Sequence, residues 1–294
     1  MRVNGLDVAR RPGDKQVDSH RGAEFSRGRV RTMPPLKLAL VLESLGRPLR
    51  EALDVAAMLG PAGIQVDAAG PLAPDALTQT GRREFRNLLR SRDLELAALG
   101  CPLRHGFDVA ENLDRRIAHV KNVLSLAYDL GQRIVIAHGG RLDLDEQHAC
   151  FPFLRDSLTD LARHGDRVGA VLALEAGVAS PAAVVTLLDR FDTAGLGVNL
   201  DPCSLLMHDH DPVLAVRTWQ RRITHVHARD ARRSRPDREA AEVALGAGDV
   251  DWTALLGALE EVGYHGPLTI KRGRARDPVA EMRSAIEFLR RLVG

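Results

Sequence analysis

The sequence predicts an α/β protein: a single (β/α)8 TIM barrel over residues 33–294, preceded by a disordered N-terminal extension over residues 1–32. From residue 34 onward, short apolar runs alternate eight times with helical runs. The apolar runs contain few polar residues, which is typical of parallel strands buried on both faces. About 260 residues is the size of one barrel of eight βα units. A doubly wound open sheet is the alternative, but no GxGxxG turn follows the first strand, which argues against a dinucleotide site.

The extension differs in composition from the rest of the chain. Residues 1–32 are rich in Arg, Gly and Asp and contain few large apolar residues. Such a segment buries too little apolar surface to offset its ordering entropy, so we expect it to be disordered. It lacks the apolar stretch of a secretory signal, and its acidic residues argue against a transit peptide. We interpret residues 1–32 as a flexible extension that results from the choice of start codon, since Met33 lies just before the first predicted strand. The alternative is that they form a functional basic arm.

Each of the first four βα units is an apolar run followed by a helical pattern. The strands are LKLALVLE, GIQVDA, LELAALG and RIVIAHGG. The helices are RPLREALDVAAMLG, which ends at Gly60, then a polar segment around GRREFRNLLRSRD, then ENLDRRIAHVKNVLSLAYDLG, and finally roughly residues 146–164. The third helix has the clearest pattern, because its apolar residues recur at helical spacing from Leu113 to Ala127 and Gly131 follows as a terminating glycine.

The last four units continue the alternation. Their strands are GAVLALEAG, LGVNLDP, ITHVHARD and PLTIKRG. The helix after the first of them begins at Ser180 and Pro181, a favourable N-cap and first-turn pair. A second helix begins near Pro212, a third is DVDWTALLGALEEVG, and the last is DPVAEMRSAIEFLRRL. In the third of these we expect Asp249 to cap the helix and Trp252 to pack at its start.

Composition limits the classes of partner and compartment. Lys plus Arg number 41 and Asp plus Glu number 39, so the net charge of +2 predicts no nucleic-acid or membrane partner. The three cysteines are far apart and form no CxxC motif, which favours a reducing cytoplasm over a disulfide scaffold or a zinc ribbon. No apolar run approaches the roughly 20 residues that span a bilayer. We therefore expect a soluble cytoplasmic protein.

Polar or reactive residues stand at the carboxyl ends of the predicted strands, where the working groups of such barrels lie. In order they are Glu43, Asp67, Cys101, His138, Glu175, Asp201, His227 and Lys271. Glu175, Asp201 and His227 follow one another at intervals of 26 residues, one βα unit each. Adjacent strands are about 4.8 Å apart, so these side chains can converge on one small cation such as Mn²⁺, Co²⁺, Mg²⁺ or Zn²⁺. The alternative is that each is a separate polar terminus bonded to a neighbouring loop.

The motifs LALEAG, VNLDP, HVHARD, GAGDVDW and GYHGPLTI, in this order, resemble those of the xylose-isomerase-like barrels over residues 34–294. That family includes sugar isomerases, ketose 3-epimerases and inosose dehydratase, with the endonuclease IV branch more distant. The resemblance implies a divalent metal held by Glu, Asp, His and a second Glu, of which Glu175, Asp201 and His227 match the first three. His227 is preferred to His225 because it lies nearer the end of its strand. His225 and His138 are then expected to contact the substrate.

Two positions depart from the family pattern. Lys271 stands where the fourth ligand, a glutamate, is expected. An ammonium cannot ligate a metal, and two unit charges about 4 Å apart repel by about 4 kcal/mol at an effective dielectric constant of 20. After Asp201, where relatives often carry Asn or His, the run is DPCSLLMHDHD; His208 and His210 either compensate or are solvated.

Three functional hypotheses follow. The first is an isomerase or epimerase of a sugar or polyol, of the sugar phosphate isomerase/epimerase type that acts in carbohydrate metabolism. In this hypothesis the metal site is weakened, and Glu175 is the base for enolisation beside a carbonyl. The second is a metal-free lyase or dehydratase in which Lys271 is catalytic. The third is a catalytically degenerate paralogue that binds a sugar-like ligand or a protein, with Lys271 paired to Glu175 or Asp201.

The predicted small-molecule partner is a carbohydrate-like substrate, and the sequence indicates no oligomeric state. The run RDARRSRPDR, which includes Arg229, either binds a phosphate or carboxylate of that substrate or forms a solvated loop. Nucleic-acid repair would need more converging histidines and a basic face.

Overall fold

The computed structural model describes residues 37–236 and 239–293, and in this part of the chain eight parallel strands close into a barrel. The strands are β1 (Leu38–Val41), β2 (Gly63–Asp67), β3 (Glu95–Cys101), β4 (Ile134–His138), β5 (Val171–Glu175), β6 (Leu196–Leu200), β7 (Ile223–Ala228) and β10 (Leu268–Ile270). Around the barrel they follow their order in the sequence, and β10 pairs with β1 to close it. The predicted barrel is confirmed. The disorder predicted for residues 1–32 lies outside the described residues and stays a prediction.

Helices cover the outside of the barrel. They are α1 (Leu49–Leu59), α2 (Gln79–Arg90), α3 (Leu113–Asp129), α4 (Phe151–Val168), α5 (Pro181–Leu188), α6 (Pro202–Met207), α7 (Pro212–Trp219), α8 (Trp252–Glu261) and α9 (Pro278–Val293). Ser180 caps α5 as predicted, since its side chain accepts a hydrogen bond from the Ala183 N–H. The positive φ of Gly60 (73°) ends α1, a left-handed conformation that glycine adopts without a steric penalty.

Two elements were not predicted from the sequence. The short helix α6 follows β6 directly, and its N-cap is Asp201, whose side chain accepts from the Ser204 N–H. A two-stranded antiparallel hairpin, β8 (Asp230–Arg232) and β9 (Ala241–Val243), follows β7. It places residues from the loop after β7 beside the ends of β6 and β10.

The predicted cap of α8 is wrong by two residues. Asp251 accepts the capping hydrogen bond from the Ala254 N–H, whereas Asp249 accepts one from the Arg233 N–H. The loop before α8 is instead organised by Asp230, which is 1% exposed. Its two carboxylate oxygens accept hydrogen bonds from the N–H groups of Ala231, Gly246, Gly248 and Val250 and from the indole of Trp252.

The main apolar core lies between the strands and the surrounding helices, and Leu residues such as Leu53, Leu124 and Leu158 are fully buried there. Each such side chain contributes about 1.5–3 kcal/mol through removal from water. The inside of the barrel holds a small apolar cluster of Ala98, Ile136 and Ala173 together with five buried polar side chains, namely Gln65, Asn199, His225, His227 and Thr269. This polar layer supports the site described next.

No helix in the described part of the chain is both long and apolar enough to cross a membrane.

Candidate active site

The carboxyl ends of the strands surround a cavity of about 340 Å³. Six of the eight strand-end residues named from the sequence line it, namely Glu43, Asp67, Cys101, His138, Glu175 and Lys271. The other two, Asp201 and His227, are not among its lining residues and are only 3% and 0% exposed. The wall is therefore polar, with three carboxyl groups and the Lys271 ammonium facing one space.

The three residues predicted as metal ligands are brought together. In the described part of the chain, Glu175, Asp201 and His227 each offer one ligand atom, and these atoms all lie within 4.8 Å of one another. His227 Nδ1 lies 3.7 Å from Glu175 Oε1 and 3.4 Å from Asp201 Oδ2. The convergence follows from topology, because β5, β6 and β7 are neighbours in the barrel and each residue stands within one position of its strand's last residue.

Lys271 directly follows β10, and its side chain reaches this cluster. Its Nζ donates a hydrogen bond to Glu175 Oε1 at 3.0 Å, and its backbone N–H donates to Ala228 O at 3.3 Å. Burial opposes ionisation of Glu175, but the positive charge of Lys271 outweighs it, so the pKa of Glu175 lies below its ordinary value. Glu175 is therefore a carboxylate at neutral pH.

The orientation of His227 is fixed by two amides. Its Nε2 lies 2.9 Å from Gln65 Oε1, and its Nδ1 lies 2.8 Å from Asn199 Nδ2. Because an amide oxygen only accepts and an amide nitrogen only donates, Nε2 carries the proton and Nδ1 accepts. Burial, and then the charge of Lys271, lower the pKa of His227, so the ring is neutral. The lone pair of Nδ1 therefore faces the two carboxylates.

His225 extends the same network inside the barrel. Its Nδ1 lies 2.8 Å from Asn199 Oδ1 and its Nε2 lies 2.9 Å from Thr269 Oγ1. Burial lowers the pKa of His225 well below its ordinary value, so this ring is also neutral. His225 is fully buried, and the structure places it beneath His227 instead of on the cavity wall. It holds Asn199, and through it His227, in position.

Asp201 is engaged on both oxygens. Oδ1 accepts from the Ser204 N–H at 3.0 Å, and Oδ2 accepts from Arg229 Nη1 at 2.9 Å. Burial would raise the pKa of Asp201, but the charge of Arg229 holds it well below its ordinary value. Arg229, predicted to bind substrate, is thus paired with Asp201 and does not line the cavity.

The pairing continues through residues that the sequence did not single out. Glu242, on β9, binds Arg229 at 3.2 Å and Arg272 at 3.5 Å, and Arg272 binds Glu281 of α9 at 2.8 Å. In the sequence, only the alternation of positive and negative residues along these segments indicated such a series of ion pairs. A three-residue strand is too short to show a periodic pattern. This series of ion pairs connects Asp201 to the segment that carries Lys271.

Glu43 and Asp67 form a second acidic group on the cavity wall. The Asp67 N–H donates to Glu43 Oε1 at 2.8 Å. Burial raises the pKa of Glu43, as does the negative charge of Asp67. Burial also raises the pKa of Asp67, and Lys271 partly offsets that rise. Both carboxyl groups thus keep their protons to a higher pH than Glu175 does.

The remaining strand-end and loop residues play smaller parts. His138 lines the cavity at the end of β4, and its contact with a substrate stays a prediction. Cys101 also lines it, but only 2% of it is exposed, and burial raises the pKa of its thiol to about 12. His208 and His210 bond to the backbone carbonyls of Ser204 and Val178 and stay apart from the cluster.

The cluster of Glu175, Asp201 and His227 has the right donor types for a small divalent cation, but each inward-facing atom already accepts a hydrogen bond. Glu175 Oε1 accepts from Lys271, Asp201 Oδ2 from Arg229, and His227 Nδ1 from Asn199. Lys271 also places a full positive charge where a fourth ligand would be negative. A divalent cation would have to displace these three hydrogen bonds and approach the Lys271 ammonium, whose Nζ lies 3.0 Å from Glu175 Oε1.

Comparison with known proteins gives a family match over most of the chain. The family described as xylose isomerase-like TIM barrel matches residues 53–292. A curated relative, the uncharacterized protein YfiH of Bacillus subtilis (strain 168), is 26% identical, and the match covers 88% of this chain and 100% of that protein.

Solved structures show the same barrel. A xylose isomerase domain protein from Planctomyces limnophilus has a TM-score of 0.78 and 25% identity, with 88% of this chain and 98% of that chain covered. A xylose isomerase-like TIM barrel protein from Mycobacterium smegmatis, in complex with magnesium, has a TM-score of 0.72 and 18% identity, with 88% and 96% covered. An L-ribulose 3-epimerase has a TM-score of 0.70 and 17% identity, with 88% and 94% covered. Neighbours of this fold thus include a sugar epimerase and a protein that binds a divalent metal.

Proposed function

The chain belongs to the xylose isomerase-like TIM barrel family, and from this premise we propose that it is an isomerase or epimerase of a small sugar or polyol that carries a carbonyl group. The reaction moves a proton on the carbon beside the carbonyl, by way of an enediol. The observation that carries the proposal is the pair of Glu175 and Lys271, 3.0 Å apart, on the wall of a polar cavity of about 340 Å³.

The two side chains take complementary roles. The Glu175 carboxylate accepts the proton from the carbon beside the carbonyl, and the electrons of the broken C–H bond form a carbon–carbon double bond. The carbonyl oxygen then gains negative charge, which the Lys271 ammonium stabilises and protonates through a hydrogen bond. Return of the proton from Glu175 to the former carbonyl carbon gives the isomer. Lys271 regains its proton from the neighbouring hydroxyl, which becomes the new carbonyl.

The buried layer beneath the pair keeps it in place. Neutral His227 and the Asp201–Arg229 pair fill the space behind Glu175, so the carboxylate is directed toward the cavity. In metal-binding relatives a divalent ion would supply the positive charge; here we propose that Lys271 does so, with Mn²⁺, Co²⁺, Mg²⁺ or Zn²⁺ at a weakened three-ligand site as the alternative. The convergence of three ligand atoms within 4.8 Å favours that alternative.

A second candidate function is ligand binding without turnover. The engagement of Glu175 by Lys271 and of Asp201 by Arg229 favours it, because both carboxylates have a cation as partner even when no substrate is present. Such a protein would still bind a carbohydrate-like molecule in the cavity.

Proton exchange with solvent separates these functions. The purified protein is incubated in D₂O with L-ribulose, D-fructose, D-tagatose and a cyclic polyol ketone, and loss of the proton beside the carbonyl is followed by NMR. We expect exchange in the presence of EDTA, and Glu175→Gln should abolish it. Glu51→Gln, which alters an exposed carboxylate on α1, is the matched control and should exchange as the wild type does.

Two outcomes would overturn the proposal. If no probe exchanges, with or without added Mn²⁺, while a probe still shifts the NMR signals of the cavity, the protein binds without turnover. If a probe loses water instead of exchanging its proton, the reaction is that of a lyase.

A further inference from the structure

We propose that Glu43 is the second proton-transfer group of the site, acting on the substrate face opposite Glu175, so that the enzyme inverts the configuration at one carbon. This inference rests on the proposed function and narrows it from isomerase or epimerase to epimerase. Proton return by Glu175 alone restores the original face, whereas inversion requires a donor on the other face. Glu175 takes the proton from one face and Glu43 gives its own proton to the other; exchange with water then removes the proton from Glu175 and restores that of Glu43.

The topology places the two carboxyl groups across the barrel from each other. Around the closed barrel of eight strands, β1 and β5 are separated by four positions in either direction, so they lie on opposite sides. Glu175 ends β5, and Glu43 lies in the turn that follows β1. Both line the same cavity of about 340 Å³. A substrate held in that cavity therefore has one carboxyl group on each side.

Lys271 cannot take this second role. Its Nζ lies 3.0 Å from Glu175 Oε1, so it approaches a substrate from the same side as Glu175. Its ammonium group is already needed for the developing negative charge on the substrate oxygen. The position that carries the second glutamate in the family pattern is thus occupied by a cation, and the donor must come from another strand.

Glu43 is held in place for proton transfer. The Asp67 N–H binds Glu43 Oε1 at 2.8 Å, which fixes the direction of the carboxyl group. The carboxyl group of Asp67 packs over Gly100 of β3, where a Cβ atom would lie 2.0 Å from Asp67 Oδ1. The Glu43 backbone N–H also forms a hydrogen bond with this carboxyl group, and no ion pair engages Glu43 among residues 37–236 and 239–293. The side chain remains exposed on the cavity wall, where a substrate can reach it.

The ionisation of Glu43 agrees with the role of a donor. Burial raises its pKa, and the nearby charge of Asp67 does the same, while the hydrogen bond from the Asp67 N–H and the charge of Lys271 act in the opposite direction. The net result is a pKa above the ordinary value. This direction suits a proton donor on the cavity wall.

The test separates proton removal from inversion. The ketose among L-ribulose, D-fructose and D-tagatose that exchanges fastest with the wild type is incubated in D₂O, and NMR follows deuterium uptake and formation of the epimer in the same sample. For Glu43→Gln we expect exchange to continue while epimer formation falls by about 100-fold or more, the range typical of loss of a general acid or base. Glu175→Gln should lose both, and Glu51→Gln neither.

The outcomes distinguish this inference from the proposed function. If the wild type shows no exchange with any probe, the proposed function fails and the inference fails with it. If the wild type exchanges and Glu43→Gln still forms the epimer at the wild-type rate, only the inference is overturned. Unchanged thermal unfolding of Glu43→Gln would show that any loss does not reflect misfolding.

Discussion

Replacing Lys271 by methionine should destabilise the protein by about 1–2 kcal/mol at neutral pH, because it leaves the Glu175 carboxylate without its cation. Lys271 Nζ and Glu175 Oε1 are 3.0 Å apart. At an effective dielectric constant of 20 this separation gives a gross attraction of roughly 5–6 kcal/mol. The side chains are 29% and 34% exposed, so solvent screens part of that attraction and desolvation offsets more. The net value should lie between the roughly 0–1 kcal/mol of exposed pairs and the roughly 3–5 kcal/mol lost when a buried pair is broken.

A double-mutant cycle measures this value directly. Guanidinium unfolding of the wild type, Lys271→Met, Glu175→Gln and the double variant should give a coupling energy of about 1–2 kcal/mol. The matched control is the pair Lys37 and Glu95, which are 2.8 Å apart but 61% and 65% exposed. Its coupling should stay within the roughly 0–1 kcal/mol of surface pairs. Equal coupling in the two cycles, or none for Lys271 and Glu175, would refute the view that this pair is part of the site's electrostatic framework.

Three further predictions concern the surroundings of the site. Asp230→Asn should lower the free energy of unfolding, measured in guanidinium, by about 3 kcal/mol, because the asparagine NH₂ would face backbone N–H groups that now donate to the carboxylate. A decrease below about 0.5 kcal/mol, typical of a surface change, would contradict the anchoring role of Asp230. Cys101 should resist iodoacetamide at pH 8 while the partly exposed Cys150 reacts, since burial raises the pKa of Cys101 to about 12. Because this folded pKa lies above the unfolded value of about 8.5, the stability from Cys101 is complete below that pH and is lost as the pH rises toward 12. Cys101→Ala should therefore flatten the fall in stability between pH 8.5 and 12, and an unchanged slope would argue against the shift. Gly100→Ala should reduce epimer formation, because the added methyl group would lie 2.0 Å from Asp67 Oδ1 and would turn that carboxyl group, which lines the cavity beside Glu43. A wild-type rate would show that the position of the Asp67 carboxyl group is not needed.

The fold was accessible from the sequence because the signals that define it are long and repeated. Each βα unit combines an apolar run with a helical period, and the 26-residue spacing of Glu175, Asp201 and His227 puts them on neighbouring strands. The structure brings those three side chains together, and it contains the ion pair of Lys271 with Glu175 that one of the three hypotheses proposed.

The parts that escaped prediction are short or depend on distant contacts. The strand that carries Glu242 has three residues, too few to show an alternating pattern. Gln65 was not singled out because its role follows from a contact with His227, 162 positions away. The N-cap of α8 was placed at Asp249 instead of Asp251, because both aspartates precede the same apolar run and only the backbone direction decides between them. The pairing of Arg229 with Asp201 and Glu242 also depends on contacts between distant segments, so the arginine-rich loop alone did not indicate it.

The central claim is that Lys271 supplies the positive charge that a divalent metal would otherwise provide. The most direct measurement is the metal content of the purified protein after dialysis against Mn²⁺, by elemental mass spectrometry, for the wild type, Lys271→Glu and Lys271→Glu combined with Glu175→Ala. We predict a metal-free wild type and about one equivalent in Lys271→Glu, because removing a repulsion of about 4 kcal/mol raises metal affinity by at least about a thousandfold. The combined variant should hold none. One equivalent of metal in the wild type, lost on Glu175→Ala, would contradict the claim.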